Sequence, residues 1–96
     1  MESEEIAVLK LRVDGVVQGV GYRAFAAAEA RALALRGWVR NRSDSTVEAL
    51  VAGPAKSVES FVAACARGPA GAQVTNLELR PSKPPDERGF HILPTL

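Results

Sequence analysis

Gly15-Val16-Val17-Gln18-Gly19-Val20-Gly21-Tyr22-Arg23 packs three glycines into a short stretch between an alternating apolar run and an alanine-rich run. Glycine takes positive φ without a Cβ penalty, so successive backbone N–H groups here can converge into a concave nest that suits a phosphate-sized anion. A helix starting near Tyr22 points its unsatisfied N–H groups and the positive end of its dipole at the same spot. Arg23 adds a permanent charge, and its planar fork of donors can grip two anion oxygens at once. No Gly-Lys-Ser/Thr follows the glycines, which excludes a P-loop. Gly19-x-Gly21-x-x-Ala24 matches a dinucleotide fingerprint on paper, with Asp44 about twenty residues on. That fold needs a second strand followed by another helix, whereas Trp38 to Arg42 is followed by a turn and another strand.

Upstream of the glycines, Ala7, Leu9, Leu11 and Val13 alternate with Val8, Lys10 and Arg12, the period-two pattern of a half-buried strand that delivers the chain into the cradle. Downstream, Tyr22, Ala26, Ala30 and Leu33 fall on one face of a helix expected from Tyr22 to about Arg36, with Gly37 as its stop. Trp38 to Arg42 then reads as a strand, Asp44-Ser45 as a hairpin turn and Thr46 to Ala52 as the partner strand. Pro54 suits the first turn of a second helix, in which Val58, Phe61, Val62 and Cys65 recur at helical spacing until Gly68-Pro69 ends it. Val74 to Arg80 is strand-like, Pro81 to Arg88 is a proline-rich loop, and Phe90 and Ile92 suggest a last short strand. The order is β-α-β-β-α-β with an extra short C-terminal strand. This is an α+β chain of ferredoxin-like type, an antiparallel sheet carrying two helices on one face.

Ninety-six residues make one domain, 1–96, with residues 1–5 expected as a polar, flexible tail. A formal net charge of +1 leaves no electrostatic footprint for nucleic acid, so any anion binding must be local. RNA recognition on this topology requires aromatic residues on the central strands, and neither Ala7 to Val13 nor Thr46 to Ala52 has one. The acidic N-terminus gives no secretory signal and no apolar run approaches membrane-spanning length, so a cytoplasmic protein is expected. A single cysteine, Cys65, excludes an internal disulfide; on the apolar stripe of the second helix it reads as core rather than nucleophile. His91, alone between Phe90 and Ile92, reads as facing solvent.

Gly15-x-Val17-Gln18-Gly19-Val20-Gly21-Tyr22-Arg23 followed by Gly37-Trp38-Val39-Arg40-Asn41 resembles the paired signature of the acylphosphatases. The resemblance extends to Gly53-Pro54 before the second helix and to Gly89-Phe90-x-Ile92. It implies a small monomeric hydrolase, without metal or other cofactor, that acts on carboxyl-phosphate anhydrides and takes inorganic phosphate or sulfate as a site ligand. The phosphate-binding loop would be Gly15, Val16, Val17, Gln18, Gly19 and Val20, the phosphate-binding arginine Arg23 and the water-orienting asparagine Asn41. The residue inventory suits that chemistry. An acyl phosphate already has a good carboxylate leaving group, so the tasks left are to neutralise phosphoryl charge and to hold a water in line.

Acylphosphatase-like domains also occur as modules of larger hydrogenase-maturation carbamoyltransferases. The chain's end at Leu96 favours the stand-alone hydrolase over such a module, and a non-catalytic phosphate sensor is the third reading. Ser45 and Ala34 stand where the family usually carries glycine. Arg42 replaces a small polar residue, and with Arg40 it either raises the potential near the site or, as we favour, is surface charge. Trp38 is expected beside the site as structure, and Asp44 as a turn residue.

Overall fold

The computed structural model describes residues 5–96. Its elements are β1 (Ile6–Val16), α1 (Tyr22–Ala32), β2 (Arg36–Asn41), β3 (Val47–Pro54), α2 (Ala55–Arg67), β4 (Gln73–Pro81) and β5 (Phe90–Ile92). One five-stranded sheet runs in the order β4-β1-β3-β2-β5. The first four strands pair antiparallel as expected, while β5 lies parallel to β2, with Gly37 opposite Phe90 and Val39 opposite Ile92. The sheet is therefore mixed. Of the expected N-terminal tail only Glu5 is described, and its carbonyl accepts a hydrogen bond from the Ala55 N–H at the start of α2.

Period-two alternation places Leu11 and Val13 of β1, Val47, Ala49 and Val51 of β3, and Val39 of β2 on one face, all buried in a common core. Both helices cover that face. α1 contributes Tyr22, Ala26, Ala27 and Ala30, and α2 contributes Val58, Phe61, Ala64 and Cys65. The Phe61 and Phe90 rings pack with their planes tilted by 57° and centroids 5.8 Å apart, and truncating the fully buried Phe61 to alanine would cost about 3–5 kcal/mol. The open face is laced with charge. Glu48 accepts from Arg40 at 2.9 Å and from Arg42 at 3.3 Å, with Lys10 at 3.7 Å. Arg40 also lies over the Trp38 ring, 4.6 Å from its centroid. Trp38, Arg40 and Arg42 are thus occupied with one another and with Glu48.

Strand ends shift by a few residues from the sequence reading, and three departures change what a residue does. α1 stops at Ala32 rather than running to Arg36. The Leu35 N–H bonds back to Ala30 and the Ala34 N–H to Arg31, while Ala34 turns left-handed at φ +57°. This is a Schellman ending, in which the chain reverses through one positive-φ residue and buries the apolar residue after it, here Leu35. Gly37 accordingly is a strand residue and not a helix stop. Its φ is +141°, and its N–H donates to the Gly89 carbonyl at 3.0 Å. Pro54 is extended, with ψ 138°, so it closes β3 and caps α2 instead of entering the first turn.

Candidate active site

A break in strand register builds the cradle. β1 and β4 pair evenly from Leu9–Pro81 to Asp14–Asn76 and then slip, leaving Gly15 opposite Val74. Gly15 takes the bend at φ +126°, and a Cβ there would run into the Gln73 carbonyl, so glycine is demanded by both angle and space. The chain then leaves the sheet. Gly19 and Gly21 adopt left-handed φ of +76° and +80°, and Gly21 caps α1 without any side-chain hydrogen bond. Among the described residues, no backbone carbonyl accepts from the N–H groups of Gln18, Gly19, Val20 or Gly21. These donors and the uncapped first turn of α1 are left for solvent or a bound anion.

Val17, Gly19, Gly21, Tyr22, Arg23, Ala24 and Ile92 line a hollow of about 260 Å³ at this point. Arg23 is half-buried, and among the described residues it has no ion-pair partner. The Val17 side chain is buried in the core and Val20 packs against that core, whereas Val16 is exposed. What Val17 and Val20 can offer an anion is therefore backbone.

Asn41 ends β2 on the helix-covered face, two residues beyond Val39. Its Oδ1 is buried and receives no hydrogen bond from any described residue. An unsatisfied buried acceptor is costly, and its persistence at a site is a pointer to function. The Gln18 side chain connects this strand end to the cradle. Its Nε2 donates to the Arg42 and Thr46 carbonyls, both at 2.9 Å, across the mouth of the β2–β3 hairpin. With both amide hydrogens bound there, Gln18 braces the loop and is not free to donate from its side chain to a ligand. Sequence reading placed Gln18 in the loop but gave no sign of this bridge, whose ends lie 24 and 28 residues apart.

Beneath the hollow, the Tyr22 hydroxyl donates to the Cys65 carbonyl at 2.6 Å, fixing the start of α1 to the end of α2. Burial, and then the nearby Cys65 thiol, holds the Tyr22 pKa well above its usual 10.0. Burial likewise pushes the Cys65 thiol up to about 12, which makes it inert core. In the hairpin turn, hydrogen bonds from the Thr46 side chain and backbone hold the Asp44 carboxyl below its usual range. Asp44 is the turn residue its position suggested.

A model of the family described as acylphosphatase matches residues 9–92. The chain belongs to the acylphosphatase family. The acylphosphatase of Azoarcus sp. (strain BH72) is 52% identical over 90 residues, covering 94% of this chain and 92% of that one. Among solved structures, the crystal structure of acylphosphatase from Bacillus subtilis superposes with a TM-score of 0.85 at 38% identity, over 93% of this chain and 99% of that one. Full-length HypF in its phosphate- and nucleotide-bound form matches with a TM-score of 0.88 at 26% identity, over 98% of this chain but 13% of that much longer one.

Proposed function

We propose that this acylphosphatase-family chain hydrolyses acyl phosphates to carboxylate and inorganic phosphate, with the phosphoryl group held by residues 15–20 and Arg23 and the attacking water oriented by Asn41. The observation that carries the reading is the coincidence of an arginine and amides without partners among the described residues at an uncapped helix start, braced through Gln18 to the strand that ends in a buried Asn41 oxygen likewise without a described partner. The amides and guanidinium offset charge on the phosphoryl oxygens. The Asn41 side-chain amide offers the water both an acceptor and a donor, which directs the water's lone pair at phosphorus in line with the leaving carboxylate. As the new P–O bond forms, the bond to the acyl oxygen breaks with its electron pair staying on the carboxylate. The water's proton passes to a phosphoryl oxygen of the substrate, since no carboxylate or imidazole belongs to either motif.

Identity of 52% to a chain named acylphosphatase, against 26% to full-length HypF, supports this reading over a carbamoyl-phosphate module of a HypF-like protein. A monomeric, cytoplasmic, metal-independent enzyme is part of the same reading, and chelator is expected to leave activity intact. The test is a pair of measurements on each folded variant: kcat on acetyl phosphate, and the inhibition constant of inorganic phosphate. Arg23→Ala is expected to damage both, and Arg23→Lys to rescue poorly, because lysine keeps the charge without the two-oxygen grip. Asn41→Ala is expected to lower kcat by roughly 10²-fold or more while phosphate still binds. If Asn41→Ala instead weakened phosphate binding and spared kcat, Asn41 would belong to the cradle and the assignment of the water would fall.

A further inference from the structure

The hollow beside Arg23 has one wall that the phosphate chemistry does not use. Ile92 is 44% exposed, and of the large exposed apolar residues among those described, Ile6, Val16, Leu79, Leu96 and Ile92, it alone lines that hollow. Its position follows from β5. Phe90 and Ile92 share the helix-covered face by period two, while His91 points to the open face. Phe90 runs into the core against Phe61, and Ile92, two residues on, emerges beside Ala24 at the start of α1.

The strand is firmly held on both sides. Arg31 of α1 donates from Nε and Nη2 to the Phe90 carbonyl at 3.2 and 2.9 Å, and the Leu93 N–H donates to the Val39 carbonyl at 2.9 Å. Ile92 is thus an apolar residue on an anchored strand, lining a hollow that the Arg23 side of α1 also lines. An in-line displacement needs the entering water and the departing carboxylate on opposite sides of phosphorus. Asn41, assigned to the water, is not a wall of this hollow, and so the hollow is available to the departing side.

We infer that Ile92 forms the acyl-side wall of the substrate site and favours acyl phosphates with a bulky apolar acyl group over acetyl phosphate. This rests on the hydrolase reading above. An aryl or branched acyl group shields Ile92 and the Ala24 methyl from water, whereas the single methyl of acetyl phosphate covers little of them. A partly exposed wall discriminates modestly.

The experiment measures kcat/KM for benzoyl phosphate and acetyl phosphate in the parent, Ile92→Thr and Ile92→Leu. Threonine keeps the β-branching that suits a strand and places a hydroxyl in the wall; leucine keeps the apolar volume. The expected result is a fall of roughly 3–10-fold in the benzoyl-to-acetyl ratio for Ile92→Thr, with Ile92→Leu close to the parent ratio. Should Ile92→Thr not fold, Ile92→Val and Ile92→Ala give the same comparison, with the ratio falling as the side chain shortens. Hydrolysis of both substrates at an unaltered ratio across the variants overturns the inference and leaves the hydrolase reading standing. If the parent hydrolyses neither compound, the hydrolase reading falls and this inference falls with it.

Discussion

Ala34 and Ser45 sit at φ +57° and +78°, a region that costs an L side chain roughly 1–2 kcal/mol and glycine nothing. Both are exposed. Ala34 occupies the residue of the Schellman turn where glycine is usual, and Ser45 the tip of the hairpin whose mouth Gln18 spans. Glycine at either position relieves the strain, though part of the gain is lost to the greater freedom of the unfolded chain. Ala34→Gly and Ser45→Gly are each expected to stabilise by about 0.5–1 kcal/mol, read as a rise in the urea midpoint at constant m. A lowered midpoint for Ala34→Gly would show that helix propensity at this residue outweighs its left-handed turn.

The cradle is an element whose glycines do different work. Gly15 is caught between an unfavourable angle and the β4 backbone, with the Thr75 amide 2.9 Å from an added Cβ. At Gly19 an added Cβ would meet nothing within 4 Å, so only the angle objects. Gly15→Ala is therefore expected to cost about 2–4 kcal/mol and to weaken inorganic phosphate binding, because the bulge that aims the loop has to shift. Gly19→Ala is expected to cost about 1 kcal/mol. Urea unfolding together with the phosphate inhibition constant checks both, and equal losses at the two positions would mean that strand crowding at Gly15 is relieved elsewhere. The two helices are joined to this element by Tyr22, which lies under the hollow and donates to the carbonyl at Cys65 on α2.

For the molecule as a whole, the pairing of Tyr22 with Cys65 sets an alkaline limit. Both groups hold their protons to higher pH when folded than the usual 10.0 and 9.0 at which the unfolded chain releases them. Above about pH 9 the unfolded state binds fewer protons than the folded one, so stability is full below that pH and declines as pH rises. The urea midpoint is expected to be level between neutrality and about pH 8.5 and to fall from there, most steeply beyond pH 10. Tyr22→Phe is expected to cost about 1 kcal/mol at pH 7, from the unpaired carbonyl, and to flatten the descent above pH 10. A parent midpoint that stayed level up to pH 11 would contradict the burial of these two groups.

Glycine and arginine positions in the cradle, the seven elements and the helix-covered face were legible in the sequence because each rests on local physics: side-chain period, the φ that glycine permits, and turn chemistry. The same local physics overran α1, since Leu33, Ala34, Leu35 and Arg36 are good helix formers and nothing near them announces a Schellman turn at an alanine. Tertiary structure alone decided the parallel seat of β5 beside β2, the Gln18 bridge to the hairpin, the Tyr22 bond to α2, the Arg40 and Arg42 pairs with Glu48, and the isolation of the Asn41 oxygen. The interaction of Arg31 with Phe90 shows why: its partners are 59 residues apart. Contacts at that separation are fixed by which faces the packed layers bring together, and no local period along the chain records them.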